Sequence, residues 1–346
     1  MTVTLRALRY LVATADCGNI TEAARMLNIS QPSVSAAVAQ LEHEFSVSIF
    51  VRHHARGVTP TPAGLRIIGE ARLLLKHAAD FERDARSLGE ELSGEISIGC
   101  FVTLAARFMP ALFTDFRHKY PGITLTIREG NQDEIIGLLR SGRIEFALSY
   151  AYALPDDITR FPLADLRPYV LLSADHPLAG QPAIELAALA DEPFLLLDLP
   201  HTRDYFLSLF ATAGVEPKVA LRSQSADLIR GLVGHRQGYT LHNAVPKTDA
   251  SVDGGRIATI PIAGSPEPVR IVGLALGRQV SRPAMEAFSR YLRSAFSPGG
   301  IFAPGSLTPT SPALLSGSDQ PVSSTETTAV GEAGKVEAGK GEPGLG

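Results

Sequence analysis

The sequence predicts a multidomain protein in which a mainly helical head, residues 1–60, is joined by one long helix to a larger α/β domain. Three observations support this fold class. Residues 19–56 have the pattern of two helices separated by a tight turn and followed by a short hairpin. Apolar residues then recur at every third or fourth position from residue 67 to residue 88, which indicates one continuous helix. Beyond residue 94, strand-like and helix-like segments alternate, as they do in βαβ units.

The head begins with a helix predicted over residues 4–16, and a capping signal starts the second helix. Asn19 and Glu22 have the spacing of a capping box, in which each side chain bonds to the backbone amide of the other residue. Ser30 is expected to cap the third helix, and Pro32 fits its first turn. One face of the third helix is apolar at helical spacing, with Val34, Val38, Leu41 and Phe45.

The opposite face of the third helix carries short side chains. A helix with this surface can approach base edges closely in the major groove of DNA. The sequence therefore indicates a DNA-reading helix. Contacts with DNA are expected from Gln31, Pro32, Ser33, Ser35 and Ala36.

Two short predicted strands, residues 47–52 and 58–61, form the hairpin that follows the third helix. Arg52 ends the first strand, and Arg56 lies in the turn. Arginine is a common ligand of DNA phosphates, so we expect both residues to contact DNA. The alternative is a hairpin that is only solvated.

A long helix is predicted to begin with Thr61 as its cap and Pro62 at its first position. Its apolar residues recur at heptad spacing: Ile67, Ala71, Leu74, Ala78, Phe81, Ala85 and Leu88. This stripe could pack on the head of its own chain. Because the helix is too long for so small a head, we expect it to pair with a second chain. A dimer would place two reading helices about one DNA turn apart.

These residues resemble the LysR-type transcriptional regulators. The matching positions are Thr21, Ala23, Ala24, Leu27, Ser30, Gln31, Pro32, Val34, Ser35, Leu41, Glu42, Phe50, Arg52, Thr61, Ala63 and Gly64. The resemblance covers about residues 1–296. It implies a winged helix-turn-helix head in which Thr21 also contacts DNA, and a dimerisation helix over residues 61–92. It further implies a two-lobed, periplasmic-binding-protein-like effector domain over residues 93–296.

The chain departs from the family pattern in three places. Ala36 stands where the family often has a longer polar side chain, and Ser46 replaces a common turn glycine. A tail over residues 297–346 is not part of the usual pattern. From Pro298 onward it holds ten glycines, six prolines and one aromatic residue, so we expect it to be disordered.

The α/β domain is predicted from alternating strand and helix periodicity. Strands are expected at residues 95–99, 123–129, 145–149, 169–174, 194–197, 218–222, 239–241 and 269–276. Helices are expected at residues 104–120, 133–141, 203–213, 226–234 and 283–295. This βαβ order predicts a parallel sheet. The resemblance implies lobe I from residues 94–162 and 268–296, and lobe II from residues 163–267.

Polar residues at the ends of the predicted strands suit a ligand site. Ligands of open α/β sheets bind beyond the carboxyl ends of the strands, and helix N-termini attract carboxylates and phosphates. We expect an effector site formed by Cys100, Phe101, Val102, Thr103, Asn131, Gln132, Tyr150, His201, Thr202, Arg203 and Tyr239. Arg203 would matter for an effector with a carboxylate. The alternative for each polar residue is that it only caps its helix.

The two cysteines, Cys17 and Cys100, fall in different predicted domains. A disulfide is therefore not expected, a reducing cytoplasm fits, and neither residue has the spacing of a zinc site. Cys100 near a helix start could sense oxidants through a lowered thiol pKa. Because the sensing domain holds no second cysteine, a buried apolar role is favoured. No metal or other cofactor is expected.

The charge balance gives little general attraction to DNA. The net charge is −4, and residues 1–60 carry five arginines against four acids. Affinity would therefore come from placed phosphate contacts and from several copies of the head acting together. No run of eighteen apolar residues and no signal-peptide pattern is present, so we expect a cytoplasmic protein without a membrane span.

These features predict a regulator that binds double-stranded promoter DNA and responds to a small-molecule effector, with a carboxylate as the favoured chemistry. We expect a homodimer that assembles into a tetramer, and RNA polymerase is a candidate partner. The alternative is an effector-independent DNA-binding or assembly protein with a vestigial sensing domain. An enzyme is not expected, because the sequence lacks a nucleophile elbow, a phosphate loop, a dinucleotide fingerprint and a metal-ligand cluster.

Overall fold

The computed structural model describes residues 3–53, 57–87, 92–276, 282–304 and 307. Within them the head consists of helices and one hairpin. The bounds are α1 (Leu5–Cys17), α2 (Ile20–Met26), α3 (Gln31–Phe45), β1 (Phe50–His53) and β2 (Gly57–Pro60). The two strands pair antiparallel, from Phe50 with Pro60 to His53 with Gly57. This is the winged helix-turn-helix that the sequence predicts.

An apolar core holds the head together. Leu11 of α1, Ala23 of α2 and Val34 of α3 have no exposed surface. Burial of a side chain such as Leu11 contributes about 1.5–3 kcal/mol, and the small Ala23 lets the helices cross closely. Glu42 of α3 accepts hydrogen bonds from the backbone amides of Ile49 (2.8 Å) and Phe50 (3.1 Å), so the hairpin is fixed against α3.

The helix caps of the head follow the prediction in part. The Asn19 side chain accepts hydrogen bonds from two backbone amides of α2, as expected. The capping box is incomplete, because Glu22 pairs with Arg25 at 2.6 Å instead of the Asn19 amide. The expected cap by Ser30 is also wrong. Its hydroxyl shares a hydrogen bond with the Ser33 hydroxyl (2.7 Å), so it does not bond a backbone amide of α3.

The predicted long helix is α4 (Pro62–Ser87). The Thr61 hydroxyl accepts a hydrogen bond from the Gly64 amide (2.9 Å), which confirms Thr61 as the cap. Leu88, the last residue of the predicted heptad stripe, lies outside the described residues.

Lobe I is a five-stranded sheet covered by helices. Its elements are β3 (Gly94–Phe101), α5 (Val102–Lys119), β4 (Ile123–Gly130), α6 (Gln132–Arg140), β5 (Phe146–Tyr150), β6 (Ile158–Leu166), β12 (Val269–Leu276) and α9 (Pro283–Phe296). The strand order is β4-β3-β5-β12-β6. Strands β3, β4 and β5 are parallel, but β12 runs antiparallel to β5 and β6. The prediction of a parallel sheet is therefore wrong for β12, which returns from the other lobe and runs antiparallel to both of its neighbours.

Lobe II is built from shorter strands. Its elements are β7 (Tyr169–Ser173), a 3-10 helix (Leu186–Leu189), β8 (Pro193–Leu197), α7 (Thr202–Thr212), β9 (Lys218–Ser223), α8 (Ala226–Gly234), β10 (Thr240–His242) and β11 (Ile257–Pro261). Strands β10, β7 and β11 form one antiparallel sheet, so the prediction of a parallel sheet is also wrong for β7 and β10. Strands β8 and β9 pair in parallel. A parallel bridge between Phe194 and Tyr239 joins the two sheets.

The chain crosses between the lobes twice. β6 stays paired with β12 as far as Leu166, opposite Val269. The first crossover therefore follows Leu166 and not residue 162. Strand β6 escaped the sequence prediction because its exposed residues and Pro162 obscure the strand pattern.

The expected disorder of the tail is wrong for its first residues. The amide of Phe302 donates a hydrogen bond to the Ala295 carbonyl (2.8 Å), and the Phe302 ring is only 2% exposed. One aromatic residue with an apolar surface to cover is enough to hold this short segment. The remainder of the predicted tail lies outside the described residues, apart from residue 307.

Two features are absent from the described residues. In the described part of the chain, no helix is both long and apolar enough to cross a bilayer. In that same part, no cluster of three or more His, Cys, Asp or Glu side chains has the arrangement of a metal site.

Candidate DNA-binding face and inter-lobe site

The start of α3 forms an exposed face on the head. Gln31, Pro32, Ser33 and Ala36 are exposed, and Ser35 is half-buried beside them. The apolar side of the helix is turned inward by the burial of Val34, Val38 and Leu41. The short outward side chains leave the helix backbone close to the surface, which is the geometry needed to enter a major groove.

Two other residues expected to contact DNA, Thr21 and Arg52, lie on α2 and β1. Thr21 is exposed in the first turn of α2, where its backbone amide donates a hydrogen bond to the Asn19 side chain (2.8 Å). Arg52 is exposed on β1. Arg56 lies outside the described residues. The structure thus presents Thr21 and Arg52 on the same small head as α3.

The apolar stripe of α4 is only partly covered by its own chain. Ala71 is buried against the head. Further along the helix, Leu74 is 51% exposed and Phe81 is 74% exposed. Large exposed apolar side chains at heptad spacing on a long helix favour a partner helix over solvent.

The head, α4 and lobe I are joined by ion pairs. Arg72 of α4 pairs with Asp16 of α1 and donates to the Ser141 carbonyl of lobe I. Lys76 of α4 pairs with Glu145 at 2.8 Å, next to the start of β5. A movement of lobe I therefore acts directly on the helix that carries the head.

A cavity of about 650 Å³ opens between the two lobes. Lobe I contributes Val102 and Thr103, at the start of α5. Lobe II contributes Ser225 at the start of α8, together with Arg230 and His242. Two helix N-termini therefore face one cavity. Their positive dipole ends favour an anionic group there.

Arg230 and His242 are the buried ionisable groups among the described lining residues of this cavity. They are 4% and 5% exposed. Nη2 of Arg230 donates to the carbonyls of Thr248 and Ala250, but its Nη1 has no partner among the described residues. Neither ring nitrogen of His242 has a described partner. Burial lowers the pKa of His242 to about 4, and the charge of nearby Arg230 acts in the same direction.

A row of tyrosines continues the inter-lobe surface. Thr103 and Tyr150 share a hydrogen bond of 2.9 Å between their hydroxyls. The rings of Tyr150 and Tyr152 are 5.2 Å apart, and those of Tyr152 and Tyr205 are 5.6 Å apart. The Tyr152 hydroxyl accepts a long hydrogen bond (3.4 Å) from Asn243 of lobe II. Tyr150 and Tyr152 therefore connect the first lobe to the second.

Most of the polar atoms predicted after β4 and β8 have protein partners, but Oε1 of Gln132 has none among the described residues. Asn131 completes a capping box with Glu134, and the amide nitrogen of buried Gln132 donates to the Tyr152 carbonyl (2.9 Å). The His201 side chain contacts Asp133 of lobe I (3.5 Å). Arg203 forms ion pairs with Asp198 (2.9 Å) and Asp204 (3.1 Å). The acids beside Arg203 make it a poor ligand for an effector carboxylate.

The other predicted residues are buried away from the cavity. Phe101 packs on Tyr150 with ring centroids 5.0 Å apart, and Tyr239 packs on Phe194 at 5.2 Å. Thr202 is buried at the start of α7. Cys100 is fully buried in β3, where burial raises the pKa of its thiol well above the usual value. Of the eleven predicted residues, the structure places only Val102 and Thr103 along the cavity.

Sequence reasoning missed Arg230 as a residue of the cavity. Arg230 lies in the middle of α8, where an arginine usually reads as a solvated helix residue. His242 lies at the end of β10, a strand end that the sequence had marked. Only the packing of α8 against β10 shows that both side chains meet at one cavity.

Comparisons with known proteins identify both parts of the chain. Residues 5–65 match the family described as bacterial regulatory helix-turn-helix protein, lysR family. Residues 89–297 match the family described as LysR substrate binding domain. Among curated proteins, the DNA-binding transcriptional dual regulator OxyR of Escherichia coli K12 is 28% identical over 83% of this chain and 92% of its own length. The uncharacterized regulator YnfL of the same organism is 32% identical over 76% of this chain and 89% of its own.

Solved structures give the same result. HinK, a LysR family transcriptional regulator from Pseudomonas aeruginosa, is 36% identical to this chain, with a TM-score of 0.59. The match covers 87% of this chain and 100% of the HinK chain. A full-length variant of OxyR from Pseudomonas aeruginosa is 28% identical over 84% of this chain and 97% of its own, with a TM-score of 0.66. The chain therefore belongs to the LysR family and is a DNA-binding transcription regulator with an effector-binding domain.

Proposed function

We propose that two copies of this chain pair through α4 and read an inverted repeat in promoter DNA, under the control of a small carboxylate bound between the lobes. The observation that carries the DNA part is the exposed start of α3 beside the exposed stripe of α4. Each head alone has a near-neutral charge, so a dimer is needed for useful affinity. The contacts are assigned to Thr21, Gln31, Pro32, Ser33, Ser35, Ala36, Arg52 and Arg56.

The effector part rests on the inter-lobe cavity. Its walls come from both lobes, so a bound ligand has different contacts in open and closed arrangements. Such differential contact is the physical requirement for a ligand to shift a conformational equilibrium. Lys76 and Glu145 then transmit the shift, because they tie lobe I to α4. No feature of the described residues favours the effector-independent alternative.

Peroxide sensing through a thiol is not part of the proposal. Several relatives are named hydrogen peroxide-inducible genes activators. A cysteine sensor needs an accessible thiolate with a lowered pKa. Cys100 is fully buried, and its pKa is raised by that burial. The other cysteine, Cys17, belongs to the head.

Assembly of two dimers into a tetramer and contact with RNA polymerase belong to the same proposal and rest on the family likeness. A cytoplasmic location belongs to it too, because bacterial promoter DNA lies there. The absence of enzymatic activity is proposed on the same ground, since the members of this family named above are regulators.

Selection from a random duplex library would test the DNA part. We expect the full-length protein to enrich an inverted repeat, with one half-site for each head of a dimer. The Ser35→Leu variant should lose the preference for the enriched site, because a larger side chain keeps α3 from the groove. Ser208→Leu, a change on α7 of lobe II, far along the chain from the head, is the control. Enrichment of no sequence would contradict the proposal.

A further inference from the structure

The ordered chain continues beyond the family domain. The match to the effector-binding domain ends at residue 297, but residues 298–304 fold back on lobe I. Gly300 makes this turn possible. A Cβ at this position would collide with the carbonyl oxygens of Ser294 and Ala295 at the end of α9. The Phe302 amide then bonds to the Ala295 carbonyl. The segment is thus a defined extension of the lobe.

Phe302 anchors this extension in the core of lobe I. Its ring lies 4.9 Å from that of Phe108 and 5.2 Å from that of Phe296, measured between centroids. The Arg107 guanidinium lies 5.9 Å from the centre of the Phe302 ring. Nε of Arg107 donates to the Val245 carbonyl of lobe II (3.0 Å). The extension therefore contacts a residue that bridges the two lobes.

Phe302 also lines the inter-lobe cavity, together with Thr103, Arg230 and His242. The cavity thus has three walls, from lobe I, from lobe II and from the extension. Its surface divides by chemistry. The polar side holds Arg230, whose Nη1 lacks a described partner, and His242, whose two ring nitrogens lack one. The apolar side is formed by Val102, Ala106, Pro110, Ala244 and Phe302.

The charges around the cavity favour an anion. Besides Arg230, the basic residues Arg107 and Lys247 line it, and exposed Asp227 is the one acid among its described lining residues. The N-termini of α5 and α8 add partial positive charge. An uncharged polar ligand would gain no attraction from this positive charge, and a cation would be repelled by it. The volume of about 650 Å³ lies within the range of small-molecule sites.

We propose that the C-terminal extension is part of the effector site, with Phe302 as the apolar wall of a pocket for a small carboxylate whose charged group binds Arg230 and His242. This inference rests on the proposed function, since it names the ligand chemistry of the same cleft. It gives the extension a role in effector selection. A carboxylate with an aromatic or branched apolar body satisfies both sides of the pocket.

Calorimetry on the full-length protein tests the charged side of the pocket. The probes are benzoate, phenylacetate and 3-phenylpropionate, each compared with its primary amide, which has the same shape without the charge. We expect at least one acid to bind about tenfold or more tightly than its amide, the factor typical of one charge-assisted contact. Arg230→Gln should remove this preference. Arg203→Gln should keep the preference, because Asp198 and Asp204 already neutralise the charge of Arg203.

Substitutions in the extension test the apolar side. Phe302→Ala should weaken the acid and its amide alike, by about tenfold, because a buried ring is lost from the wall. Phe302→Leu should restore most of the affinity, and it keeps the inference testable if the alanine variant unfolds. Ile301→Ala is the matched control, since its side chain is 41% exposed in the same turn.

Three results would overturn the inference: no acid favoured over its amide, Arg230→Gln binding like the natural chain, or Phe302→Ala and Ile301→Ala being equally impaired. Gel shifts on the selected inverted repeat separate this failure from failure of the proposed function. Promoter binding should persist in the Phe302 and Arg230 variants. Loss of specific DNA binding by the unmodified protein would instead sink the proposed function itself.

Discussion

Glu145 and Arg282 form a buried ion pair at the junction of α4 with lobe I. Oε1 of Glu145 lies 2.8 Å from Nη2 of Arg282, and the two side chains are 2% and 4% exposed. Arg282 also pairs with Asp80 of α4 at 2.6 Å. Glu145 precedes β5, whose last residue, Tyr150, belongs to the inter-lobe surface. Strand β5 therefore connects the ion pair beside α4 with the effector cleft.

Glu145→Gln should destabilise the protein by about 3 kcal/mol, because it removes one of the two carboxylates that pair with buried Arg282 and also the carboxylate partner of Lys76. The free energy of unfolding from urea titrations at fixed protein concentration measures the effect. Arg140→Gln, which breaks an exposed pair with Asp157, should cost less than about 1 kcal/mol. Equal decreases in the free energy of unfolding for the two variants would show that the buried pair stabilises the protein no more than the exposed pair.

Ser46→Gly should stabilise the head by about 1 kcal/mol. Ser46 ends α3 with a φ of +53°, a left-handed conformation that is costly for residues with a Cβ. Thermal melting would show the gain as a higher midpoint. Asn28→Gly, at a φ of +55°, should gain less, because asparagine tolerates this conformation better. A lower midpoint for Ser46→Gly would mean that the serine side chain stabilises the turn.

Arg52→Ala should weaken binding to the selected inverted repeat and to random duplex by similar factors. A phosphate contact carries no sequence information, and its loss lowers the slope of log affinity against log salt by about 1 for each contact. Gel shifts between 50 and 200 mM salt, roughly the range in which such slopes are resolved, would measure it. Arg236→Ala, in lobe II and paired with Asp175, should leave the slope unchanged.

Phe81→Glu should convert the dimer into monomers without unfolding either domain, because the ring is 74% exposed in the single chain. Analytical ultracentrifugation gives the mass in solution. Val252→Glu changes a side chain that is 86% exposed on lobe II and should leave the dimer intact. A dimer that survives Phe81→Glu would place the contact between copies away from this part of α4.

His242 should make the protein less stable as the pH falls from about 6.5 to 4. Its pKa is about 4 in the folded chain and about 6.5 when unfolded. Unfolding therefore takes up a proton in this window, and stability present above pH 6.5 is lost toward pH 4, by up to about 3 kcal/mol. Melting curves at several pH values would show the slope. His242→Leu should flatten it, whereas exposed His235→Leu should keep it.

Most elements of the fold were accessible from local patterns. The bounds of β12 and α8 agree with the predicted strand and helix, because apolar periodicity and caps act within a few residues. Thr61 and Asn131 cap their helices for the same reason. Strands β6 and β11 were missed, since their pairing with distant strands decides their conformation. The direction of β12 was wrong because it depends on the second crossover.

The candidate effector site was accessible only in part. Strand ends and helix caps led to Thr103, which lines the cavity, but also to Arg203, which pairs with neighbouring acids. Arg230 gave no local signal. The role of Phe302 was obscured by a composition that predicts disorder, although one buried ring suffices to order the short turn that carries it.

The sequence by itself determined the helix-turn-helix and the long helix with its apolar stripe, because both follow from the spacing of residues along the chain. It also determined the two-lobed domain, because many single residues match the family pattern in the same order. Only the tertiary structure decided which charges meet between the lobes and which aromatic residue covers them. These contacts depend on how α8, β10 and the residues beyond α9 pack in space. Contacts between residues far apart in the chain produce no periodic pattern in the sequence.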